Sequence, residues 1–139
     1  MFRFKQTQKV FNLGGMKVGG QPGENPPLLI ASMFHNKDRI VVDRKGNFDR
    51  AKAVELIKTQ EALSASTGIP SMVAMVANSA EEAKIYVDFF RETTKMPFGI
   101  DMWVAEKRAE ATEYVARLGL QDQFLYLSLI HISEPTRPY

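Results

Sequence analysis

The stretch "IPSMVAMVANSAEEAKIYVDFF", residues 69–90, contains one complete strand-and-helix unit and decides how the rest of the chain is interpreted. Residues Ser71–Ala77 form a continuous apolar run of the length typical of a strand that is buried on both faces. Ser79 and Glu82 have the spacing of a capping box, which predicts a helix that extends to about Thr94. The buried face of this helix is predicted to contain Ala83, Tyr86, Val87 and Phe90.

The same alternation of strand and helix continues on both sides of this unit. The other strands are predicted at Leu28–Phe34, in "PFGIDMW" with its end near Asp101, and from "FLY" at Phe124–Tyr126. A first helix is capped by Asp49, runs to about Ser66 and is stopped by Gly68, with Ala53, Leu56, Ile57 and Leu63 near helical spacing. A third helix runs from about Val104 to Leu118 and closes at Gly119.

Alternating units of this kind predict an α/β fold with a parallel sheet and right-handed crossovers. Two architectures fit the pattern, an open doubly wound sheet and the first half of a (β/α)8 barrel, and the apolar strands alone do not separate them. Ahead of this region, residues 1–27 are predicted to form a hairpin and a turn segment. "VFNLGGMKVGG", Val10–Gly20, has two short alternating runs around Gly14-Gly15, and glycine supplies the positive φ that a tight hairpin turn needs.

Composition excludes several classes of function. The chain has 139 residues, a formal net charge of +2 and no cysteine, so it is long enough for one domain and offers no thiolate nucleophile or cysteine-based metal site. Its basic residues are scattered, which argues against a nucleic-acid surface or a lipid surface. No run approaches the roughly 20 apolar residues that span a bilayer. We therefore expect a cytoplasmic protein without direct membrane insertion.

Polar residues follow three of the predicted strands, where α/β proteins of both architectures place their chemistry. Asp101 ends the third strand, and it is either a binding residue or a cap of the helix that follows. His35 and Asn78 have similar positions after the first and second strands, where a loop residue that bonds the backbone is the more common role. Trp103 either stacks on a planar ligand or packs beside the start of a helix. The glycines of "GGMKVGGQPG" precede the first strand, so a turn is favoured over a phosphate-binding loop.

Four segments together resemble the H subunit of tetrahydromethanopterin S-methyltransferase and its methyltransferase relatives. They are "VFNLGGMKVGGQPGENP", "GNFDRAKAVELIKTQEALSASTGIP", "MPFGID" and "YVARLGLQDQFLY", and the match runs in one register from about Met1 to Tyr126. The resemblance implies a (β/α)8 barrel, of which residues 28–126 would be a part with about four strands and three helices. It implies a methyltransferase of one-carbon metabolism and methanogenesis that moves a methyl group between a corrinoid protein and N5 of a tetrahydropterin, which is tetrahydromethanopterin or tetrahydrofolate.

The resemblance also implies a site. Asp101 matches the aspartate after strand three with which related barrels bind the pterin, and Asn78 and His35 are secondary candidates. The tetrahydropterin would be methyl donor or acceptor, and the corrinoid (cobalamin) would be carried by a partner, with no metal bound in this chain. The expected partners are the corrinoid protein or other methyltransferase subunits, with a homo-oligomeric intact parent. By contrast, "GGQPGENP" precedes strand one and is expected on the opposite face of the barrel, which confers stability.

The end of the chain departs from the family. Relatives read Tyr-Asn-Ser at the fourth strand, where this chain has Leu127, and the expected catalytic residues would follow Tyr126. Leu127–Arg137 is the translation, without mismatch, of a DNA string that resembles a transposase-based sequencing adapter. We therefore expect residues 127–139 to be an adapter artefact and the chain to be an inactive fragment. The alternatives are a non-catalytic subunit that docks a corrinoid protein and a pterin-binding barrel of other chemistry.

Overall fold

The computed structural model describes residues 2–125, which form a mixed α/β fold. The strands are β1 (Val10–Leu13), β2 (Met16–Gly19), β3 (Leu29–Met33), β4 (Ser71–Val76), β5 (Phe98–Asp101) and β6 (Phe124–Leu125). The helices are α1 (Arg50–Thr67), α2 (Ala80–Thr93) and α3 (Ala105–Arg117), and a short 3-10 helix spans Gln121–Gln123. Residues 127–139, which we predict to derive from an adapter, lie outside the described residues, as does Tyr126.

The first two strands form the predicted hairpin. β1 pairs antiparallel with β2, and Leu13 is the partner of Met16 across the turn. Gly14 and Gly15 have φ angles of 58° and 83°, which is the positive region that a two-residue primed turn requires at both positions. The prediction of a tight turn at this pair of glycines is therefore confirmed.

The other four strands form one parallel sheet in the order β3-β4-β5-β6, which is their order along the chain. Val73 lies at the centre of the register, with Ala31 on one side and Phe98 on the other. One apolar core joins alternate residues of the strands to residues of all three helices, among them Val73, Met75, Phe98, Ile100, Ile57, Phe90 and Val115. The three helices thus cover the same face of the sheet, whereas a doubly wound sheet carries helices on both faces.

Local signals in the sequence fix the helix ends. The Asp49 side chain accepts a hydrogen bond from the backbone N–H of Lys52, and Gly68 ends α1 with a φ of 73°. Ser79 accepts from the backbone N–H of Glu82 at the start of α2, as the capping box predicts. The start of α3 at Val104 has no side-chain cap hydrogen bond. All three predicted helices are confirmed with ends within two residues of those expected.

Part of β3 and part of the apolar surface of α1 are uncovered. Leu29 and Ile30 are 54% and 49% exposed, because within residues 2–125 β3 pairs with β4 alone. On α1, Ala53 and Ile57 are buried, whereas Leu56 and Leu63, the other apolar residues near helical spacing, are exposed. The stripe of α1 that faces the sheet continues instead through the polar Gln60, whose amide donates to Ser71 Oγ at 2.6 Å and to the Met72 carbonyl at 3.0 Å.

The hairpin packs against the end of the sheet at which the parallel strands begin, here called the N-terminal edge. The Gly14 backbone N–H donates to the Asp122 carbonyl, just before β6, at 2.6 Å. A Cβ atom on Gly14 would lie 3.0 Å from Cγ of Pro97, just before β5. Asn25 and Pro26 share a cavity with Pro70, just before β4. The "GGQPGENP" segment thus belongs to the edge opposite Asp101, as expected.

Candidate functional site

The candidate residues Asp101, His35 and Asn78 belong to the C-terminal edge of the sheet, defined by the ends of β3, β4 and β5 and the residues that follow, 34–36, 77–79 and 101–104. Asp101 is the last residue of β5 and is paired with Val76 of β4. Its carbonyl accepts a hydrogen bond from the Ala77 N–H at 3.2 Å. Its neighbour Ile100 belongs to the core beneath the helices, so strand alternation directs the partly buried Asp101 side chain to the other face.

His35 lies in the loop after β3, and Asn78 lies in the loop after β4. A hydrogen bond connects these two loops. The Asn78 side-chain amide donates to Oδ1 of Asn36 at 3.4 Å, and Asn36 is the neighbour of His35. His35 is half exposed, and its Nε2 lies 4.0 Å from Oδ2 of Asp38. The Ala77 N–H, next to Asn78, donates to the Asp101 carbonyl. The fold therefore brings His35, Asn78 and Asp101 to adjoining strand ends.

A strained residue separates β3 from His35. Phe34 has a φ of 64°, in the left-handed region that costs a residue with a Cβ about 1–2 kcal/mol. The Phe34 N–H donates to Oδ2 of Asp38 at 2.8 Å, and its carbonyl accepts from Nη1 of Arg44 at 2.6 Å. Its buried ring stacks on that of Tyr86, with centroids 3.9 Å apart. Such strain persists only where the surroundings hold it in place, and it is concentrated at functional sites.

Arg44 connects the long β3–α1 loop to the ends of two strands. Besides the Phe34 carbonyl, its guanidinium bonds the Val76 carbonyl at 3.1 Å and Oε1 of Glu82 at 2.9 Å. The Glu82 carboxylate has no exposed surface, whereas the Arg44 side chain is 25% exposed. A charge-assisted bond between groups removed from water is among the stronger polar contacts available to a protein, so this pair fixes the loop that carries His35.

Both carboxylate oxygens of Glu82 accept hydrogen bonds. In addition to Arg44, Oε1 accepts from the Asn78 N–H at 2.7 Å, and Oε2 accepts from the Tyr86 hydroxyl at 3.0 Å. Burial raises the pKa of the Tyr86 phenol above its ordinary value of 10.0, and the nearby Glu82 carboxylate raises it further. The phenol therefore stays protonated and donates to Glu82. The bond from the Asn78 N–H to Glu82 holds the backbone of Asn78 beside the candidate site.

Sequence reasoning identified Glu82 only as a helix cap and missed this network. In a capping box the glutamate bonds the N–H of the cap residue, but Glu82 bonds the N–H of Asn78, one residue earlier. The available signal was the position of Glu82, four residues before Tyr86 and therefore on the apolar face of α2. A carboxylate on a buried helical stripe needs a cation, and Arg44 lies within the unusually long loop.

Trp103 is largely exposed. Its relative exposure is 85%, although the adjoining Met102 is buried. Nη1 of Arg108 donates to the carbonyls of Met102 at 2.6 Å and Trp103 at 3.1 Å, which anchors the backbone of this turn. Trp103 was expected either to stack on a planar ligand or to pack beside the start of a helix. Packing covers only a small part of its surface.

Within residues 2–125, no three side chains of His, Cys, Asp or Glu come together as a metal site requires. None of the helices described there has both the length and the apolar character needed to cross a membrane. The groups at the C-terminal edge are a carboxylate, an amide, an imidazole and an indole. Together they can bind the polar edge of a planar heterocycle through hydrogen bonds and stack on an aromatic ring.

Comparison with known proteins gives one consistent family. The family model for the tetrahydromethanopterin S-methyltransferase MtrH subunit matches residues 6–136. The H subunit of the putative mtx methyltransferase of Methanosarcina acetivorans is 44% identical over 130 residues, which are 93% of this chain and 42% of that protein. The H subunit of the tetrahydromethanopterin S-methyltransferase of Methanosarcina mazei is 42% identical over 131 residues, with the same two shares covered.

A relative from another genus agrees with these two. The H subunit of the tetrahydromethanopterin S-methyltransferase of Methanothermobacter marburgensis is 41% identical over 130 residues. In each of these three comparisons the chain spans about 42% of the length of the curated relative. The similarity therefore concerns nearly all of this chain and less than half of each relative.

Proposed function

The chain belongs to the family of tetrahydromethanopterin S-methyltransferase MtrH subunits, and from this premise we propose that it binds a tetrahydropterin for methyl transfer. The reaction moves a methyl group between N5 of tetrahydromethanopterin or tetrahydrofolate and the cobalt of a corrinoid protein. Because the chain spans 42% of the length of its relatives, this activity is proposed for the native protein that contains it. Residues 1–139 alone are proposed to be inactive.

The position of Asp101 carries the proposal. It is a partly buried carboxylate at the C-terminal end of the third parallel strand. The edge of a pterin ring offers adjacent N–H donors, and a carboxylate accepts two such bonds in parallel, which fixes the orientation of the ring as well as its affinity. Asn78 and His35 adjoin this position and are proposed as further contacts to the pterin.

The fold proposed for the native protein is a (β/α)8 barrel, of which residues 28–126 are the first half. Two observations support it: the parallel strands are neighbours in chain order, and the core joins one face of the sheet to all three helices. In such barrels the active site lies at the C-terminal ends of the strands. That edge is where Asp101, Asn78 and His35 lie in this chain.

Methyl transfer in this proposal requires alignment and, when the methylated pterin is the donor, delivery of a proton to N5, because the amine is a poor leaving group. Asp101 and its neighbours hold the pterin so that N5 faces the corrinoid partner, which reduces the entropic part of the barrier. The corrinoid, carried by a partner protein in the cytoplasm, supplies the methyl-carrying cobalt. Other methyltransferase subunits and further copies of the chain are the expected partners. The residues that act directly on N5 are expected after Tyr126.

Isothermal titration of tetrahydrofolate and tetrahydromethanopterin into the native protein that contains this chain tests the proposal. Replacing Asp101 with Ala is expected to weaken binding roughly 100-fold, since it removes two charge-assisted hydrogen bonds. The matched control is Asp122→Ala, because Asp122 lies at the N-terminal edge and its loss should leave the affinity unchanged. Unchanged affinity in Asp101→Ala, with its melting temperature preserved, would refute the role given to Asp101.

A transfer assay with methylcobalamin separates methyl transfer from the alternatives. Transfer of the methyl group to or from the pterin supports the proposal. Pterin binding without transfer indicates a barrel of other chemistry, and capture of a corrinoid protein without pterin binding indicates a docking subunit.

The adapter origin of residues 127–139 stays a prediction. The family match extends to residue 136, so it includes most of this segment as well as the region before it. Sequencing of the source DNA through the codon for Leu127 tests the prediction. A native genomic sequence that continues with Leu-Ser-Leu-Ile-His would contradict it.

A further inference from the structure

Trp103 has an exposure that the fold does not explain. Its relative exposure is 85%, and that of the adjacent Val104 is 44%. Adjacent exposed apolar residues form a patch, which is more informative than one exposed residue, and Trp103 is two residues from Asp101. It is also the only tryptophan of the chain.

A small cavity adjoins the indole. Its volume is about 230 Å³, and it lies between the loop after β4 and the loop after β5, with Ala77, Asn78, Met102, Trp103, Val104 and Lys107 in its lining. Nζ of Lys107 donates to the Asn78 carbonyl at 3.3 Å, which holds the ammonium group at the rim. The cavity thus combines an aromatic surface with a positive charge and is large enough to hold an aromatic ring.

The backbone that carries the indole is held in place. Arg108 donates from Nη1 to the Met102 and Trp103 carbonyls at 2.6 and 3.1 Å, and Met102 is anchored in the core. An aromatic group on a fixed backbone loses little conformational freedom when a ligand stacks on it, so more of the contact energy appears as affinity. A mobile loop would lack these hydrogen bonds, so the indole is exposed on a backbone that is held in place.

We infer that Trp103 and Lys107 form a subsite for the tail of the tetrahydropterin, in which the indole stacks on the aryl ring of the tail and the ammonium pairs with its acidic group. The inference rests on the proposed function, in which Asp101 binds the pterin ring. Two extended residues span at most roughly 7 Å, so one ligand can reach both positions. An interface with a protein would also use an exposed tryptophan, but a small cavity with one cation at its rim favours a small acidic ligand.

The test compares two ligands that differ only in the tail. Tetrahydrofolate carries an aryl ring and a carboxylate tail, whereas 6-methyltetrahydropterin has neither. Trp103 is the only tryptophan of residues 1–139, so the part of the fluorescence quenching by tetrahydrofolate that is lost in Trp103→Ala reports stacking at Trp103. By isothermal titration, Trp103→Ala is expected to weaken tetrahydrofolate about tenfold, as loss of an aromatic stack does, and to leave 6-methyltetrahydropterin unchanged.

A lysine pair provides the matched control. Lys107→Ala is expected to weaken tetrahydrofolate severalfold at low salt and less at high salt, because salt screens an exposed ion pair. Lys95→Ala removes an exposed lysine that lies before β5, at the N-terminal edge, and should change neither affinity. An equal effect of the two lysine substitutions would overturn the assigned role of Lys107.

The outcomes separate this inference from the proposed function. If both ligands bind the native protein that contains this chain and Trp103→Ala affects both equally or neither, the subsite is refuted and the pterin site stands. If neither ligand binds that native protein, the proposed function is contradicted and the subsite falls with it. If Trp103→Ala preserves both affinities but abolishes binding of a corrinoid protein, Trp103 belongs to an interface and the subsite is refuted.

Discussion

The two edges of the parallel sheet are stabilised in different ways. At the N-terminal edge, contact is made through the backbone and through glycine and proline, as between Gly14 and the Asp122 carbonyl or Gly14 and Pro97. At the C-terminal edge, a buried carboxylate, Glu82, and the partly buried Arg44 hold the loops, and Phe34 is kept in a strained conformation. Strain and buried charge are costly, and their concentration at the C-terminal edge supports the site proposed there.

The largest expected effect comes from breaking the ion pair of the C-terminal edge. Glu82→Ala leaves the Arg44 guanidinium without its carboxylate and the Tyr86 hydroxyl without its acceptor. We expect a loss of about 3 kcal/mol in the free energy of unfolding, measured by urea denaturation, since an uncompensated buried charge costs this much.

The matched control for Glu82→Ala is Glu81→Ala, one residue earlier and exposed. Its loss should cost less than about 1 kcal/mol, as an exposed acidic residue at a helix start contributes no more than this. The double substitution Arg44→Met with Glu82→Gln should be less destabilising than the sum of the single ones. Additive losses would show that the pair does not act as a unit.

A smaller loss is expected at the other edge. Gly19 has a φ of 97°, and an added Cβ would lie 2.5 Å from the Lys9 carbonyl oxygen, so Gly19→Ala should cost about 2 kcal/mol. Gly15 has a φ of 83° with no atom within 4 Å of its added Cβ, and Gly15→Ala should cost about 1 kcal/mol. Neither change should alter the tetrahydropterin affinity of the folded protein. A loss of affinity in either variant would contradict the assignment of the pterin site to the C-terminal edge.

The smallest expected effect is a pH dependence at the C-terminal edge. The pKa of Tyr86 is raised above 10.0 in the folded chain by burial and by Glu82, whereas an unfolded tyrosine ionises near pH 10. Above pH 10 the unfolded chain therefore binds fewer protons than the folded chain, and the free energy of unfolding falls as pH rises. Below pH 10 the contribution of Tyr86 is fully present.

Urea denaturation between pH 7 and 11 measures this slope. Tyr86→Phe should lose about 1 kcal/mol at pH 7, the value of one hydrogen bond, and should show a shallower decline above pH 10. Tyr114, whose pKa is raised chiefly by its hydrogen bond to Asp88, gives the comparison. Tyr114→Phe should change the slope less, and a slope in Tyr86→Phe as steep as that of the unmodified chain would contradict the assignment.

The elements of the fold were predictable because their signals are local. Asp49 and Ser79 each cap a helix within three residues of themselves, and the turn at Gly14-Gly15 depends on two adjacent φ angles. Apolar runs such as Ser71–Ala77 likewise mark a strand without reference to its neighbours. The singly covered sheet was not predictable from this pattern, since the repeat of strand and helix is the same in both architectures.

The polar network was not predictable because its partners are distant in sequence. Arg44 and Glu82 are 38 residues apart, and only the packed fold brings the loop over the start of α2. The exposure of Leu29 and Ile30 likewise depends on which strand lies beyond β3, which the strand's own sequence does not contain. The position of Asp101 at a strand end was predictable from the sequence, and its role in binding stays a prediction. The conformation of Phe34 had no signal in the sequence.

Amide chemical shifts of the isotopically labelled native protein that contains this chain, measured while tetrahydrofolate is added, test the central claim that the C-terminal edge is the pterin site. We predict that the amide signals of Asn78, Asp101 and Trp103, and the indole signal of Trp103, shift with ligand concentration. Signals of Gly14 and Gly19 in the hairpin should stay unchanged. Shifts confined to the hairpin, or no shift at Asp101 at saturating ligand, would contradict the account.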